Sequence, residues 1–380
     1  MKTFVIAAAV LLCAAQANVF FHEGFDSLDK WTQSTAKSDY GVATLSSGAF
    51  YGDKAINQGL KTSQDAKFYA ISTEIPEGIT NEGKDLVVSF SVKHEQGLDC
   101  GGGYIKLLPA FDAKSFNGDS EYLLMFGPDK CGFNNRIHII FHYKGENLLW
   151  KKEVKYPDDK FTHVYTLRVT PENKYELYVD QELKESGSLE EDWAFLKPKE
   201  IDDPTDKKPA DWVDAPEMDD PEDKKPADWD DEPATIPDPE AKKPDDWDDE
   251  EDGAWEAPQI PNPKAKGPWR AKRIPNPAFK GPWKARQIPN PAYEPDSKLY
   301  LLRKPIKHVG VDVWQVKSGT IFDNIVIDDS LEDVNAIVDK TWKATKDAER
   351  AAEEAQRKAE EDAKKDAEKK EEKTDDKEDL

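Results

Sequence analysis

Leu86-Val87-Val88-Ser89-Phe90-Ser91-Val92 is the stretch that decides the fold. It is rich in β-branched and aromatic side chains, and its serines recur two residues apart, so its period is that of a strand and not of a helix. Ile137-His138-Ile139-Ile140-Phe141-His142-Tyr143 repeats the texture, and 166–169 with 175–179 reads as a hairpin turning at Pro171-Glu172-Asn173. Gly, Asn and Pro turns separate these runs. A mostly β sandwich or jelly roll is predicted over 18–198, a length sufficient for a sizeable core.

Composition then changes abruptly. From 199 to 297 prolines concentrate and aliphatic residues all but vanish. Three copies of one unit, at 201–212, 218–229 and 236–247, each end in Lys-Lys-Pro-x-Asp-Trp, and three copies of a second follow at 260–269, 274–283 and a degenerate one from 288. Long motifs at fixed spacing mark a repeat array. Residues 200–256 hold 25 acidic and 6 basic side chains, a net charge of −19, whereas 257–298 hold 2 acidic and 9 basic, a net +7. Opposite charge predicts that the two sets fold back into one long hairpin arm of three plus three repeats, each with its own Trp cluster, turning near Glu250-Glu251-Asp252-Gly253-Ala254-Trp255. Strand-like text resumes over 298–330, in Val309-Gly310-Val311-Asp312-Val313-Trp314-Gln315-Val316 and Thr320-Ile321-Phe322-Asp323-Asn324-Ile325, so the arm is read as an insertion between strands of the first domain. Residues 331–380 are Ala, Glu and Lys without proline, and a solvent-exposed charged helix is predicted there.

The ends carry an address. Lys2, the apolar run 4–15 and Ala15-Gln16-Ala17 read as a signal peptide over 1–17. No later stretch is apolar enough to span a bilayer, so no transmembrane segment is expected. Cleavage removes Cys13 and leaves Cys100 and Cys131, which in an oxidising compartment predict one disulfide. Its closed loop would stabilise by about 3 kcal/mol. The chain ends Lys377-Glu378-Asp379-Leu380, a retrieval-like tetrapeptide that points to the endoplasmic-reticulum lumen, with partial secretion or surface exposure left open by the exchanged acidic pair.

Catalytic signatures are missing. There is no Glu-x-Asp-x-Glu strand motif, no Gly-x-Ser-x-Gly elbow, no His-Glu-x-x-His site and no phosphate-binding glycine loop, so no enzyme is expected. A net charge of −24 argues against a nucleic-acid partner. Two binding chemistries remain. Acidic runs attract Ca²⁺, which prefers oxygen ligands. Cys100-Gly101-Gly102-Gly103-Tyr104-Ile105-Lys106 offers an aromatic face and a polar group at alternating positions, the combination that recognises sugars, although Tyr in a strand is more often packing.

These residues also carry a family likeness. Lys93-His94-Glu95-Gln96, Asp99-Cys100-Gly101-Gly102-Gly103-Tyr104, Gly118-Asp119-Ser120-Glu121-Tyr122, Met125-Phe126-Gly127-Pro128-Asp129, the Lys-Pro-x-Asp-Trp repeats and Val316-Lys317-Ser318-Gly319-Thr320-Ile321-Phe322-Asp323-Asn324 resemble the calreticulin/calnexin family over nearly the whole mature chain. The resemblance implies a legume-lectin-like jelly roll and a lectin chaperone, expected to be a monomer, that holds monoglucosylated high-mannose N-glycans on unfolded glycoproteins. Carried over by motif, the carbohydrate site would be Tyr104, Lys106, Tyr122, Asp129 and Asp312; a Ca²⁺ site would use Gly24, Ile56, Gln58 and Asp323; and an arm tip of Glu250, Asp252 and Trp255 would recruit a disulfide isomerase. The alternative is a calcium-buffering or surface-exposed interaction protein whose lectin cleft is secondary.

Overall fold

The computed structural model describes residues 19–247 and 253–378, with side chains to 365. The signal segment, Glu250, Asp252 and the terminal Asp379-Leu380 lie outside the described residues. The chain divides into two compact units, one made of everything up to Lys197 and from Ala292 onward, the other of Pro198–Pro291.

The first unit is two antiparallel eight-stranded sheets. In the first sheet the order is Glu182–Ser188, Lys174–Val179, Thr162–Thr170, Leu86–His94, Thr320–Asp328, Gly59–Thr62 and Ala43–Ser46, with Phe21–Glu23 also paired to Thr320–Asp328. In the second it is Glu146–Leu149, Asn134–Tyr143, Leu124–Cys131, Cys100–Gly102, Ile306–Gln315, Lys67–Ile79 and Trp31–Gln33, with Ile105–Leu108 against both Ile306–Gln315 and Leu124–Cys131. The two strands that follow the interruption thus lie in the interior of the sheets, one in each, so neither sheet closes before the chain has passed through the second unit.

Alternation sorts the side chains into three layers. Val88, Phe90 and Val92 from the first sheet meet Ile105, Leu107, Phe126 and Val311 from the second in one apolar core. On the outer face of the second sheet, Ala70, Leu108, Phe116, Tyr122, Met125 and Ile140 form a separate cluster. On the outer face of the first, Val87, Val164 and Val326 are covered by Val334, Val338 and Trp342 of the helices Leu331–Lys340 and Trp342–Glu378.

That last layer departs from the expectation of a solvated tail. Leu331, Val334 and Val338 on the first helix, and Trp342, Thr345 and Glu349 on the second, recur at three or four residues and so line one face of each. The same cover explains why every residue of Leu86–His94 is buried, including the serines that alternation alone would leave in water. Ser89 bonds Thr166 at 2.7 Å and Ser91 donates to the Asp323 carbonyl at 3.1 Å, so neither hydroxyl is stranded.

The second unit holds three two-stranded pairs, Glu200–Asp202 with Gln287–Pro289, Glu217–Asp219 with Arg273–Pro275, and Thr235–Pro237 with Gln259–Pro261. Each acidic repeat therefore faces a basic one. The indole N–H groups of Trp212, Trp229 and Trp247 donate to the carbonyls of Gly281, Gly267 and Gly253 at 2.8–2.9 Å. Those glycines have φ of +83°, +67° and +82°, a region that favours glycine, which accounts for the Gly in the 260–269 and 274–283 repeats and the one at 253. Lys280 and Lys266 lie over the Trp212 and Trp229 rings at 5.5 and 5.4 Å.

Candidate functional site

The outer face of the second sheet gathers the most chemistry. Gly310 pairs with Lys106 and Asp312 with Ala70, which brings Lys106 and Asp312 to the same face of adjoining strands. Lys106 Nζ donates to Asp312 Oδ2 at 2.7 Å, and both side chains are nearly buried. The ammonium also lies 5.0 Å from the centre of the Tyr122 ring. Tyr104 packs on the same outer cluster and meets the His138 ring edge to face at 6.3 Å. His138 Nε2 in turn is 3.4 Å from Asp129 Oδ2. Tyr104, Lys106, Tyr122, Asp129 and Asp312 therefore converge, linked through His138.

Burial first, then the charges of Asp312 and Asp129, hold the Tyr104 phenol well above its ordinary range, and burial raises that of Tyr122. Both remain neutral donors at physiological pH. Glycines make the bed. A Cβ on Gly102 would come within 2.4 Å of the Tyr104 ring, one on Gly127 within 2.8 Å of the Tyr104 Cα, and one on Gly310 within 2.7 Å of Phe116. The neighbouring strand Leu124–Cys131 is tied to Cys100–Gly102 by the Cys100–Cys131 disulfide, which joins residues directly opposite in register.

Chemically this is a polar pair on an aromatic floor. Lys106 has three N–H donors and Asp312 several acceptor sites, and their mutual bond leaves valences for one alcohol to accept from the first and donate to the second. Reading the sequence alone missed His138, Met125 and Ile140. The signal was present, since in Ile137-His138-Ile139-Ile140 alternation sends 137 and 139 to the core and 138 and 140 to this face.

At the opposite sheet, Asp323 is buried, and its carboxylate accepts from the Asn324 backbone N–H and Nδ2, each at 2.7 Å. Desolvation, reinforced by Glu23 and Asp26, pushes its pKa well above the carboxylate range. Gln58 Nε2 donates to the Phe25 carbonyl at 3.0 Å, next to Gly24, and Gly59 abuts Asp323 so closely that a Cβ there would lie 3.0 Å from the Asp323 Cβ. Gly24, Gln58 and Asp323 thus share one neighbourhood, while Ile56 lies two residues upstream with its N–H on Asp53 at 3.1 Å. Among the described residues no three His, Cys, Asp or Glu side chains are gathered for a metal. A set of main-chain oxygens around one destabilised carboxylate needs no such cluster, and that donor chemistry fits a hard cation. Of the tip residues only Trp255 is described, half-buried in the second unit.

Comparison with known proteins places these observations. The model of the calreticulin family matches residues 21–253 and 252–327. The chain is 64% identical to calreticulin of Euglena gracilis over 345 residues, covering 90% of this chain and 86% of that protein. It is 57% identical to calreticulin of Oryctolagus cuniculus over 345 residues, covering 89% and 82%. Among solved structures, the globular domain of T. cruzi calreticulin aligns over 90% of this chain and 99% of that one, at 40% identity and a TM-score of 0.66.

Proposed function

The chain belongs to the calreticulin family, and from that premise we propose that it is a lectin chaperone of the endoplasmic-reticulum lumen that binds monoglucosylated high-mannose N-glycans on folding glycoproteins. The observation that carries this reading is the Lys106–Asp312 pair at 2.7 Å on an outer sheet face floored by Tyr104 and Tyr122. The terminal sugar would lay its C–H face on the tyrosines and share its hydroxyls between ammonium and carboxylate, with Asp129 and His138 at the rim. A sugar lacking one of those hydroxyls would leave a desolvated partner unpaired, at about 1–3 kcal/mol, which is how such a site discriminates.

Titration calorimetry with a monoglucosylated oligomannose tests it. Tyr104→Ala should weaken binding by about tenfold or more, as removal of a central aromatic anchor does. Unchanged affinity would sink the assignment.

Two further roles follow from family membership. Calcium would be held by main-chain oxygens at Gly24, Ile56 and Gln58 with the Asp323 carboxylate. The segment holding Glu250, Asp252 and Trp255 would recruit a disulfide isomerase. An NMR titration of the chain with such an isomerase should move the Trp255 indole resonance, and a spectrum without shifts there would remove the claim.

A further inference from the structure

Glu95-Gln96 and Ser318-Gly319 lie within motifs that carry the family likeness, yet neither the sugar face nor the calcium neighbourhood uses them. Thr44 pairs with Lys61, Lys61 with Ile321 and Ile321 with Lys93, so Thr44, Lys61 and Lys93 share the outer face of the first sheet. Alternation adds Ser46, Ser63 and Glu95 to that polar stripe. Beyond Glu349, the docked face of Trp342–Glu378 continues through Glu353, Gln356 and Glu360 at the same spacing of three or four residues. A cavity of about 710 Å³ is lined by these helix residues, by Thr44, Lys61 and Glu95 of the stripe, and by Ser318-Gly319. Its volume falls within the range of about 300–1,000 Å³ typical of sites that enclose a small molecule.

The chemistry of this wall repeats that of the sugar face. Lys61 Nζ donates to Glu95 Oε1, an ion pair whose side chains are only 26% and 11% exposed, and Glu95 Oε2 accepts from the Ala49 N–H at 2.8 Å. Glycines again make the bed: a Cβ on Gly48, at φ +86°, would collide with Glu95 Oε2, and one on Gly319, at φ +125°, would lie 2.9 Å from Gln96 Oε1. As with Lys106 and Asp312, the mutual bond leaves spare donors on the ammonium and spare acceptor sites on the carboxylate. Gln96, also in the wall, donates from Nε2 to Thr320 Oγ1 at 2.9 Å, while its buried Oε1 meets no donor among the described residues. The lining also excludes other ligand classes. Three cations, Lys61, Lys160 and Arg357, stand with three carboxylates, Glu95, Glu353 and Glu360, so the wall offers no net charge to an anion or a metal ion. Phe50 is the one ring among the described residues of the wall, and it is 7% exposed with the Lys93 ammonium 3.7 Å from its centre, so an apolar group finds no floor. Hydroxyls, amides and compensated charges remain, and they match a neutral molecule rich in hydroxyl groups.

We infer that this cavity is a second carbohydrate site, which takes a neutral di- or trisaccharide between the outer face of the first sheet and the C-terminal helix. It goes beyond the lectin reading above, since it shares no residue with the Tyr104 face and needs no terminal glucose on a glycan. Without an aromatic floor it is a weak site, filled at about millimolar sugar. Because Glu353, Gln356 and Glu360 form one wall, an occupant also holds the helix to the sheet, and by linkage a docked helix strengthens sugar binding.

An NMR titration of the full chain with maltotriose and, separately, mannotriose tests this, read at the side-chain amides of Gln96 and Gln356. At least one sugar should give saturable shifts there, and the tighter of the two tells a glucose-type from a mannose-type ligand. Lys61→Met should weaken that binding by about tenfold or more, as loss of a charged hydrogen-bonding partner does. Thr44→Trp, a change at an exposed position that fills the cavity and leaves the Lys61–Glu95 pair in place, should abolish it, and it decides the matter if Lys61→Met does not fold. In the unaltered chain the sugar should also slow hydrogen exchange over 342–365, an effect missing from Thr44→Trp. The shifts should persist in Tyr104→Ala, whatever that variant does to monoglucosylated oligomannose, so the lectin reading and the second site stand or fall separately. No saturable shift with either sugar, shifts lost in Tyr104→Ala, shifts kept in Thr44→Trp, or shifts reproduced by glycerol at equal hydroxyl concentration would each overturn the site.

Discussion

His163 shows how far one residue's surroundings can carry it from its ordinary chemistry. It is buried in the first sheet, with Nε2 on Asp159 at 2.8 Å and Nδ1 on Asp180 at 2.7 Å. Burial alone would lower its pKa, but those two hydrogen bonds and the charges behind them outweigh it and raise the value to about 9. A pKa raised on folding adds stability that is complete below the unfolded value of about 6.5 and lost as pH climbs through the folded one. The free energy of unfolding should therefore fall between pH 6.5 and 9, by an amount on the order of 3 kcal/mol, and His163→Gln should flatten that slope. A slope unchanged in the variant would refute the assignment. Nothing in the local sequence singles out His163, because Asp159 and Asp180 approach it only once the neighbouring turns are in place. Tyr104 and Lys106 were singled out from their own local spacing, while Asp312 entered through the family likeness, being some two hundred residues away.

At the scale of an element, the C-terminal helix is the main surprise. Read as a solvated polyampholyte, Trp342–Glu378 instead begins docked, with Trp342 Nε1 donating to the Thr162 carbonyl at 2.8 Å and Lys93 Nζ paired with Glu349 Oε1 at 3.0 Å. Burial lowers the Lys93 pKa, and Glu349 opposes the effect. Glu349 also accepts from the Thr162 N–H and hydroxyl at 3.1 and 2.8 Å. Removing one member of a buried pair leaves the other uncompensated. Glu349→Ala should cost about 3–5 kcal/mol in urea denaturation, with Lys93→Met in the same chain restoring much of it. A loss below about 1 kcal/mol would mean that the helix is not held there. The charged text hid this face, since one apolar or paired position per turn is a faint signal among Ala, Glu and Lys. The repeats were plainer, because their pairing is repeated three times and each acidic copy ends in the same Lys-Lys-Pro-x-Asp-Trp.

For the molecule as a whole, the central position of Thr320–Asp328 matters most. This strand comes after the second unit in sequence, yet it pairs with Leu86–His94, Gly59–Thr62 and Phe21–Glu23, and it carries Asp323. Without a cation, the raised pKa of Asp323 means that its contribution is favourable only at acid pH and becomes a penalty as the carboxylate is forced to ionise. Calcium at saturation, taken as a hundredfold over its dissociation constant, should then stabilise the chain by about 2.7 kcal/mol at neutral pH. In Asp323→Ala the calcium-dependent rise in melting temperature should vanish; a rise equal to that of the unaltered chain would place the ion elsewhere.

What the sequence determined by itself was the class of each segment. Period-two alternation specifies strands, fixed repeats specify a repetitive unit, and opposite net charge specifies which repeats attract, because all three are local or additive properties of the chain. The tertiary structure alone decided which strands are central, that a charged helix covers one sheet, and that Lys106 meets Asp312. Those outcomes depend on contacts between residues far apart in sequence, whose geometry follows from strand register and from the packing of helices on a sheet and appears in no window of the sequence.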